Sequence, residues 1–251
     1  MSLRTRFFCI VLCLFTPIAA ASASGQTTDP ALAAELAKID SAAATVTDLS
    51  GRFTQRKFTS LLKNPLESSG TVRTSGAIAR WDTEQPEPCV LYADRNQFKL
   101  YYPDQKLEEV YPLDNQMGEM TSSPLPRLKT IAAHFAIQRA SAGDLPEDLK
   151  QAQAVRAAKG EPTVALILKP TDKTLAEHVA NVTVLLDVAT GLTLAVQTAD
   201  PDGDRTVIVF SDLHPNTGIT PADLDLKIPT DATISHPLDA AGDPPPENTP
   251  H

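Results

Sequence analysis

The sequence predicts an α+β domain, mainly β, built on one antiparallel sheet. Apolar residues alternate with a period of two through much of the chain, as at Val164, Leu166 and Leu168 or at Val182, Val184 and Leu186. Short connections rich in turn residues, such as Ala189-Thr190-Gly191 and Asp200-Pro201-Asp202-Gly203-Asp204, join successive runs. Helical spacing marks only two segments. Connections this short join antiparallel neighbours, so the strands are hairpins of a meander. About ten strands are expected, with turn signals at the roughly 8–12-residue spacing of an all-β sheet or barrel.

The chain opens with Arg4 and Arg6, an apolar run from Phe7 to Ile18, and small residues ending in Ala21-Ser22-Ala23. This is the layout of a cleaved secretory signal peptide over residues 1–23, and the run is shorter than the roughly 20 apolar residues that a membrane-spanning helix needs. No Cys stands at the processing site, so export without a lipid anchor is expected, with a mature chain from near Ser24. Losing the leader removes Cys9 and Cys13 and leaves Cys89 without an intramolecular disulfide partner. Stability then has to come from the core, which a single domain of this length can supply. The charge of −9 becomes −11 without Arg4 and Arg6, which argues against nucleic acid or an anionic membrane surface as partner.

Asp29-Pro30 supplies a helix N-cap and a first-turn proline. Leu32, Leu36, Ile39, Val46 and Leu49 recur on one face, giving an amphipathic helix of about five turns. Strands follow around Phe53, Val72, Arg80, Val90, Leu100 and Val110, with Pro86 and Pro88 in a loop where they cost no ladder hydrogen bond. A second helix is expected from Ser123-Pro124, its apolar face made by Leu125, Leu128, Ile131, Ala132 and Phe135. After the strands at 164–168 and 182–188 come Leu192, Leu194 and Val196, then Val207 and Val209. The Pro-rich, acidic segment 237–251 is expected to be a disordered tail, which leaves residues 24–236 as one domain.

Chemistry-bearing patterns are sparse. His134, His178, His214, His236 and His251 show no metal-ligand spacing, and neither a nucleophile elbow nor a phosphate-binding Gly-rich loop occurs. No metal or other cofactor is expected, and no enzymatic activity. The inward-facing set expected from the alternation is Trp81, Tyr92, Phe98, Leu100, Tyr102, Leu166, Leu168, Val184, Leu186, Val196, Val207 and Val209, joined by Leu125, Leu128 and Phe135 of the second helix. Such a set builds either a filled core or a ligand cavity, and patterning does not separate the two.

One ordered series of segments goes further. Leu49-Ser50-Gly51-Arg52-Phe53-Thr54-Gln55-Arg56-Lys57-Phe58 follows the first helix and leads through Ser69-Gly70-Thr71-Val72 to Ala79-Arg80-Trp81. Then come Cys89-Val90-Leu91-Tyr92-Ala93-Asp94, Lys99-Leu100-Tyr101-Tyr102, Val182-Thr183-Val184-Leu185-Leu186-Asp187, Thr190-Gly191-Leu192, Asp202-Gly203-Asp204-Arg205-Thr206 and Phe210-Ser211-Asp212. In this order, over about residues 30 to 230, the series resembles the outer-membrane lipoprotein carrier family, LolA and its relatives.

The resemblance implies an open, unclosed antiparallel β-barrel covered by two or three helices, whose concave apolar surface shields the acyl chains of a lipoprotein or related lipid-linked client in the periplasm. It implies a monomer that takes its client from an inner-membrane release complex and hands it to an outer-membrane acceptor. In that family an Arg-Pro pair before the Trp supplies an Arg that holds the helical lid by bonding to helix backbone. Here Ser75-Gly76 stands in that place, so Arg73 and Arg80 are the candidates for the lid contact, and a client other than a triacylated lipoprotein stays open. Met117-Gly118-Glu119-Met120 is a candidate for the cavity rim. Two other functions fit the same sequence: a periplasmic module that senses lipids or lipoproteins, and a hydrolase acting on envelope lipids.

Overall fold

The computed structural model describes residues 29–113, 128–141 and 143–238. Its strands are β1 (Asp48–Phe58), β2 (Leu66–Ser75), β3 (Ile78–Gln85), β4 (Cys89–Ala93), β5 (Gln97–Tyr102), β6 (Leu107–Pro112), β7 (Phe135–Arg139), β8 (Thr163–Pro170), β9 (Asn181–Asp187), β10 (Thr193–Ala199), β11 (Arg205–Pro215) and β12 (Thr233–Ser235). The α-helices are α1 (Pro30–Ala43), α2 (Leu128–Ile131), α3 (Glu147–Ala158) and α4 (Lys173–Ala176). All twelve strands form one sheet in the order β12-β6-β5-β4-β3-β2-β1-β11-β10-β9-β8-β7. With β12 and β7 at opposite ends the sheet is an open barrel. Each hairpin-joined pair is antiparallel, and only β12 runs parallel to its neighbour β6. Pairing of β1 with β11 seams the two meanders together.

The α1 N-terminus forms as the sequence dictates: Asp29 caps it, accepting 2.9 Å from the N–H of Ala31, with Pro30 in the first turn. The helix is shorter than expected. It stops at Ala43, where Thr45, Val46 and Thr47 bring β-branched side chains that lose rotamer freedom in a helix. Val46 and Leu49 instead pack with Leu192 and Leu213 in a separate cluster. The second helix also differs: α2 ends at Ile131, and Phe135 begins β7. Leu125, the stretch Met117–Met120, the leader and the tail beyond residue 238 lie outside the described residues. Cys89 is buried on β4 beside Leu100.

Register divides the sheet into two faces. Leu32, Leu36 and Ile39 of α1 pack on Phe135, Ile137, Val164, Leu166, Leu168, Val184 and Leu186, together with Leu128 and Ile131 of α2 and Leu175 of α4. We term this the inner face. On the other side α3 sets Leu149 against Ala165, Leu185, Leu194, Ala195 and Val207. The strands from β8 to β11 are therefore covered on both faces, which explains why they are apolar at successive positions.

Two contacts fix the ends of this framework. The β9–β10 turn pushes Gly191 against α1 with φ +72°, and a Cβ there would lie 2.6 Å from the Ile39 carbonyl oxygen and 2.7 Å from the Ala43 nitrogen. Gly191→Ala is expected to cost more than about 1 kcal/mol in chemical denaturation, because both the backbone conformation and the helix docking resist a side chain; an unchanged midpoint would mean that α1 is not held there.

The second contact belongs to a C-terminal strap that crosses the outer face. Asp48 accepts from the backbone N–H of Thr217 at 2.7 Å and of Gly218 at 3.1 Å. Ser75 Oγ donates to the Ile219 carbonyl at 2.8 Å, and Thr233 N–H donates to the Lys106 carbonyl at 2.8 Å as β12 joins β6. Burial alone would raise the Asp48 pKa, but hydrogen bonds from Ile219, Thr217 and Gly218 outweigh it and hold the carboxyl below its ordinary value. A depressed carboxyl stabilises the fold above its unfolded pKa of about 3.9 and loses that contribution as pH falls through the lower folded value. Asp48→Asn should therefore be less stable than wild type at neutral pH, with the gap narrowing on acidification below about pH 4. Urea titrations across that range check it; parallel pH curves would exclude Asp48 as the strap's anchor.

Candidate functional site

The inner face changes character along the sheet. Under α1 it is closed: Ile39 is 1 % and Leu166 0 % exposed. Beyond β11 it continues as a stripe of aromatic and branched residues on β1 to β6. Cross-strand pairing sets Phe210 beside Phe53, Val72 beside Trp81, Trp81 beside Leu91, Leu91 beside Leu100, and Phe98 beside Tyr111. Directly opposed residues share a face of the sheet, so these side chains line one surface.

Aromatic geometry organises it. The Trp81 ring meets Phe53 edge-on at 5.0 Å and lies tilted against Phe210 at 5.7 Å. Phe98 and Tyr111 stack at 4.5 Å with 9° between ring planes. Phe53 and Leu100 are buried in the floor, while Trp81, Leu91, Phe98, Tyr102, Tyr111 and Phe210 stay partly exposed. A half-covered apolar stripe continuous with a helix-covered core is a surface built to accept an apolar partner. Clefts of about 490 and 270 Å³ lie elsewhere, at the α3–β8 corner and beside the β1–β2 connection.

The expected inward residues divide into groups. Trp81, Phe98, Leu100 and Tyr102 share the aromatic stripe. Leu128, Phe135, Leu166, Leu168, Val184 and Leu186 lie in the cluster under α1, with Val196 packed against it. Val207 and Val209 face the other way, into the α3 cluster; the inner positions of β11 are Ile208 and Phe210, which pack with Phe53, Val72 and Trp81. Tyr92 also points outward, in register with Arg80 and Lys99. Burial, then the charges of Asp94 and Asp225, raises its phenol pKa. Phe53, Leu91, Tyr111, Ile208 and Phe210 belong to the stripe but escaped the sequence reading, although carrying the Trp81 alternation across each hairpin would have found them.

Arg73 and Arg80 do not touch the helices of the inner face. They oppose each other on β2 and β3, on the outer face, because each is one residue out of phase with Val72 or Trp81. Both pair with Asp82, Arg73 at 3.0 Å and Arg80 at 2.7 Å. Arg80 Nη1 donates to a backbone carbonyl at 2.9 Å, but that of Asp225 in the strap. The connection between helices has the opposite polarity: Asp40 of α1 accepts 2.7 Å from the Leu128 N–H at the start of α2. Among the described residues no group of His, Cys, Asp and Glu is placed to hold a metal ion, and no helix is long and apolar enough to cross a membrane.

Comparison with known proteins fits this architecture. Residues 44–224 match the family described as outer membrane lipoprotein carrier protein LolA. No curated protein sequence matches the chain. Among solved structures, an uncharacterized conserved protein from Thermus thermophilus superposes with a TM-score of 0.51 at 12 % identity, covering 82 % of this chain and 99 % of its own. Lipoprotein LppX of Mycobacterium tuberculosis gives 0.44 at 12 % identity, covering 79 % and 100 %. A LolA superfamily protein of Nitrosomonas europaea gives 0.40 at 8 % identity, covering 77 % and 97 %. At these identities the likeness speaks for the fold, and of the three only the Thermus protein is close enough to carry that argument.

Proposed function

The chain belongs to the LolA outer-membrane lipoprotein carrier family, and from that membership we propose that it is a non-catalytic periplasmic carrier whose aromatic inner stripe shields the acyl chains of a lipidated client. The observation that supports this reading is the asymmetry of the inner face. One half is sealed by α1, α2 and α4, and the other presents Trp81, Leu91, Phe98, Tyr102 and Phe210 still partly exposed. Each methylene removed from water gains about 0.8 kcal/mol, so a long chain cannot cross an aqueous compartment bare. A broad aromatic surface binds many chains without demanding one shape, which suits a carrier that must also release.

In this reading the client arrives from an inner-membrane release complex and leaves to an outer-membrane acceptor. Transfer runs forward only if the acceptor binds the client more tightly than the carrier does. Native mass spectrometry of protein exported to a bacterial periplasm, beside the same protein refolded from denaturant without lipid, tests the proposal. Acyl-bearing adducts that vanish on refolding and return when lipid is added support it. A bare protein mass in both samples, with no uptake of added lipopeptide or phospholipid, contradicts it.

A further inference from the structure

One inner-face rung beyond Phe53 the apolar lining is interrupted. Gln55 on β1 and Ser68 on β2 are direct cross-strand partners, and Gln55 also faces Ile208 on β11. The two are 5 % and 6 % exposed. Gln55 Oε1 and Ser68 Oγ are buried without a hydrogen-bond partner. The inner positions next to the pair hold Phe53, Gly70 and Ile208, and unpaired buried polar atoms weaken the fold.

We propose that Gln55 and Ser68 form a polar anchor for the amide of an N-acyl chain bound along the stripe. The inference rests on the acyl-carrier reading and adds which linkage the site selects. The chemistry is complementary. Gln55 Oε1 is an acceptor for an amide N–H, and the Ser68 hydroxyl is a donor for an amide carbonyl. A trans amide presents its N–H and C=O on opposite sides, so laid across the two strands it offers its N–H to Gln55 and its carbonyl to Ser68, with its chain running over Phe53 and Trp81. An ester offers the carbonyl alone and an ether neither group.

Three compounds of equal chain length isolate these contacts: N-(2-hydroxyethyl)hexadecanamide, 2-hydroxyethyl hexadecanoate and 2-(hexadecyloxy)ethanol. Isothermal titration of the full mature protein should rank amide over ester over ether, each step about fivefold to tenfold, as expected for one net hydrogen bond. Gln55→Met should erase the amide–ester step and Ser68→Ala the ester–ether step, with neither variant melting below wild type in the ligand-free state. Equal binding of all three compounds overturns the anchor and leaves the carrier reading intact. Binding of none overturns both. A wild-type preference that survives both substitutions, or a Gln55→Met protein that melts well below wild type, assigns the pair another role and overturns the anchor.

Discussion

Trp81→Glu is expected to weaken binding of an acyl-chain ligand about a hundredfold or more while the protein stays folded. Trp81 sits at the centre of the stripe, in contact with Phe53 and Phe210, yet remains partly exposed. In the ligand-free protein a glutamate there can turn its carboxylate to water, so the stability loss is limited to the packing and aromatic contacts removed, each aromatic pair worth about 0.5–1.5 kcal/mol. Once an acyl chain lies over the stripe, the carboxylate is desolvated against methylenes. Circular dichroism and thermal melting check the fold, and titration with a lipopeptide checks affinity. A folded Trp81→Glu protein that binds as wild type does would place the acyl chains elsewhere.

Leu166→Ala is expected to do the reverse. Leu166 is fully buried among residues of α1, α2, β7 and β9, where truncation removes apolar contact and leaves a cavity that the sheet cannot collapse around. The cost should be about 2–5 kcal/mol, with a fall in melting temperature of about 5–15 °C for a domain of this size. Affinity of the protein that remains folded should change little, because Leu166 lies in the closed half of the inner face. Denaturant titration checks the first statement and binding at low temperature the second. A loss below about 1 kcal/mol would show that α1 does not seal that half.

The same division explains what the sequence revealed. Strands β8 to β10 were legible because long apolar alternations end in turns with Gly or Asp, and the start of α1 because Asp29-Pro30 is a strong helix-entry signal. The end of α1 was not, since Val46 and Leu49 continue a helical spacing while the chain has already turned toward Leu192 and Leu213. Helix α3 was missed because it buries one large side chain, Leu149, and exposes Val155. Its local signals were there: Pro146 before Glu147 and Asp148 at the start, and Gly160 with φ +72° just past the end. Three-residue β12 is held by the strap and the β6 edge, and carries no alternation of its own.

Faces were harder to read than strands. The run Val207-Ile208-Val209-Phe210 is apolar throughout, because α3 covers one side and the Trp81 cluster the other, so either alternation could be taken as inward. A one-residue choice of phase moves every side chain to the other face. The same shift separates Arg73 and Arg80 from the helices they were expected to touch and places them on the outer face, where Arg80 bonds to the strap. Family resemblance supplied the open barrel, but the distribution of closed and open halves along the inner face needed the register of each strand pair.

Trp81 is the sole tryptophan in the chain, so its fluorescence reports directly on the proposed site. Titration of the refolded, lipid-free protein with a lipopeptide carrying bromine on its acyl chain is the most direct test, since bromine quenches indole emission only at contact range. Saturable quenching, absent with the same lipopeptide lacking bromine and lost when an unlabelled acyl ligand competes, is the predicted result. Binding detected by mass with Trp81 emission unchanged would contradict the assignment of the aromatic stripe as the surface that carries the acyl chain.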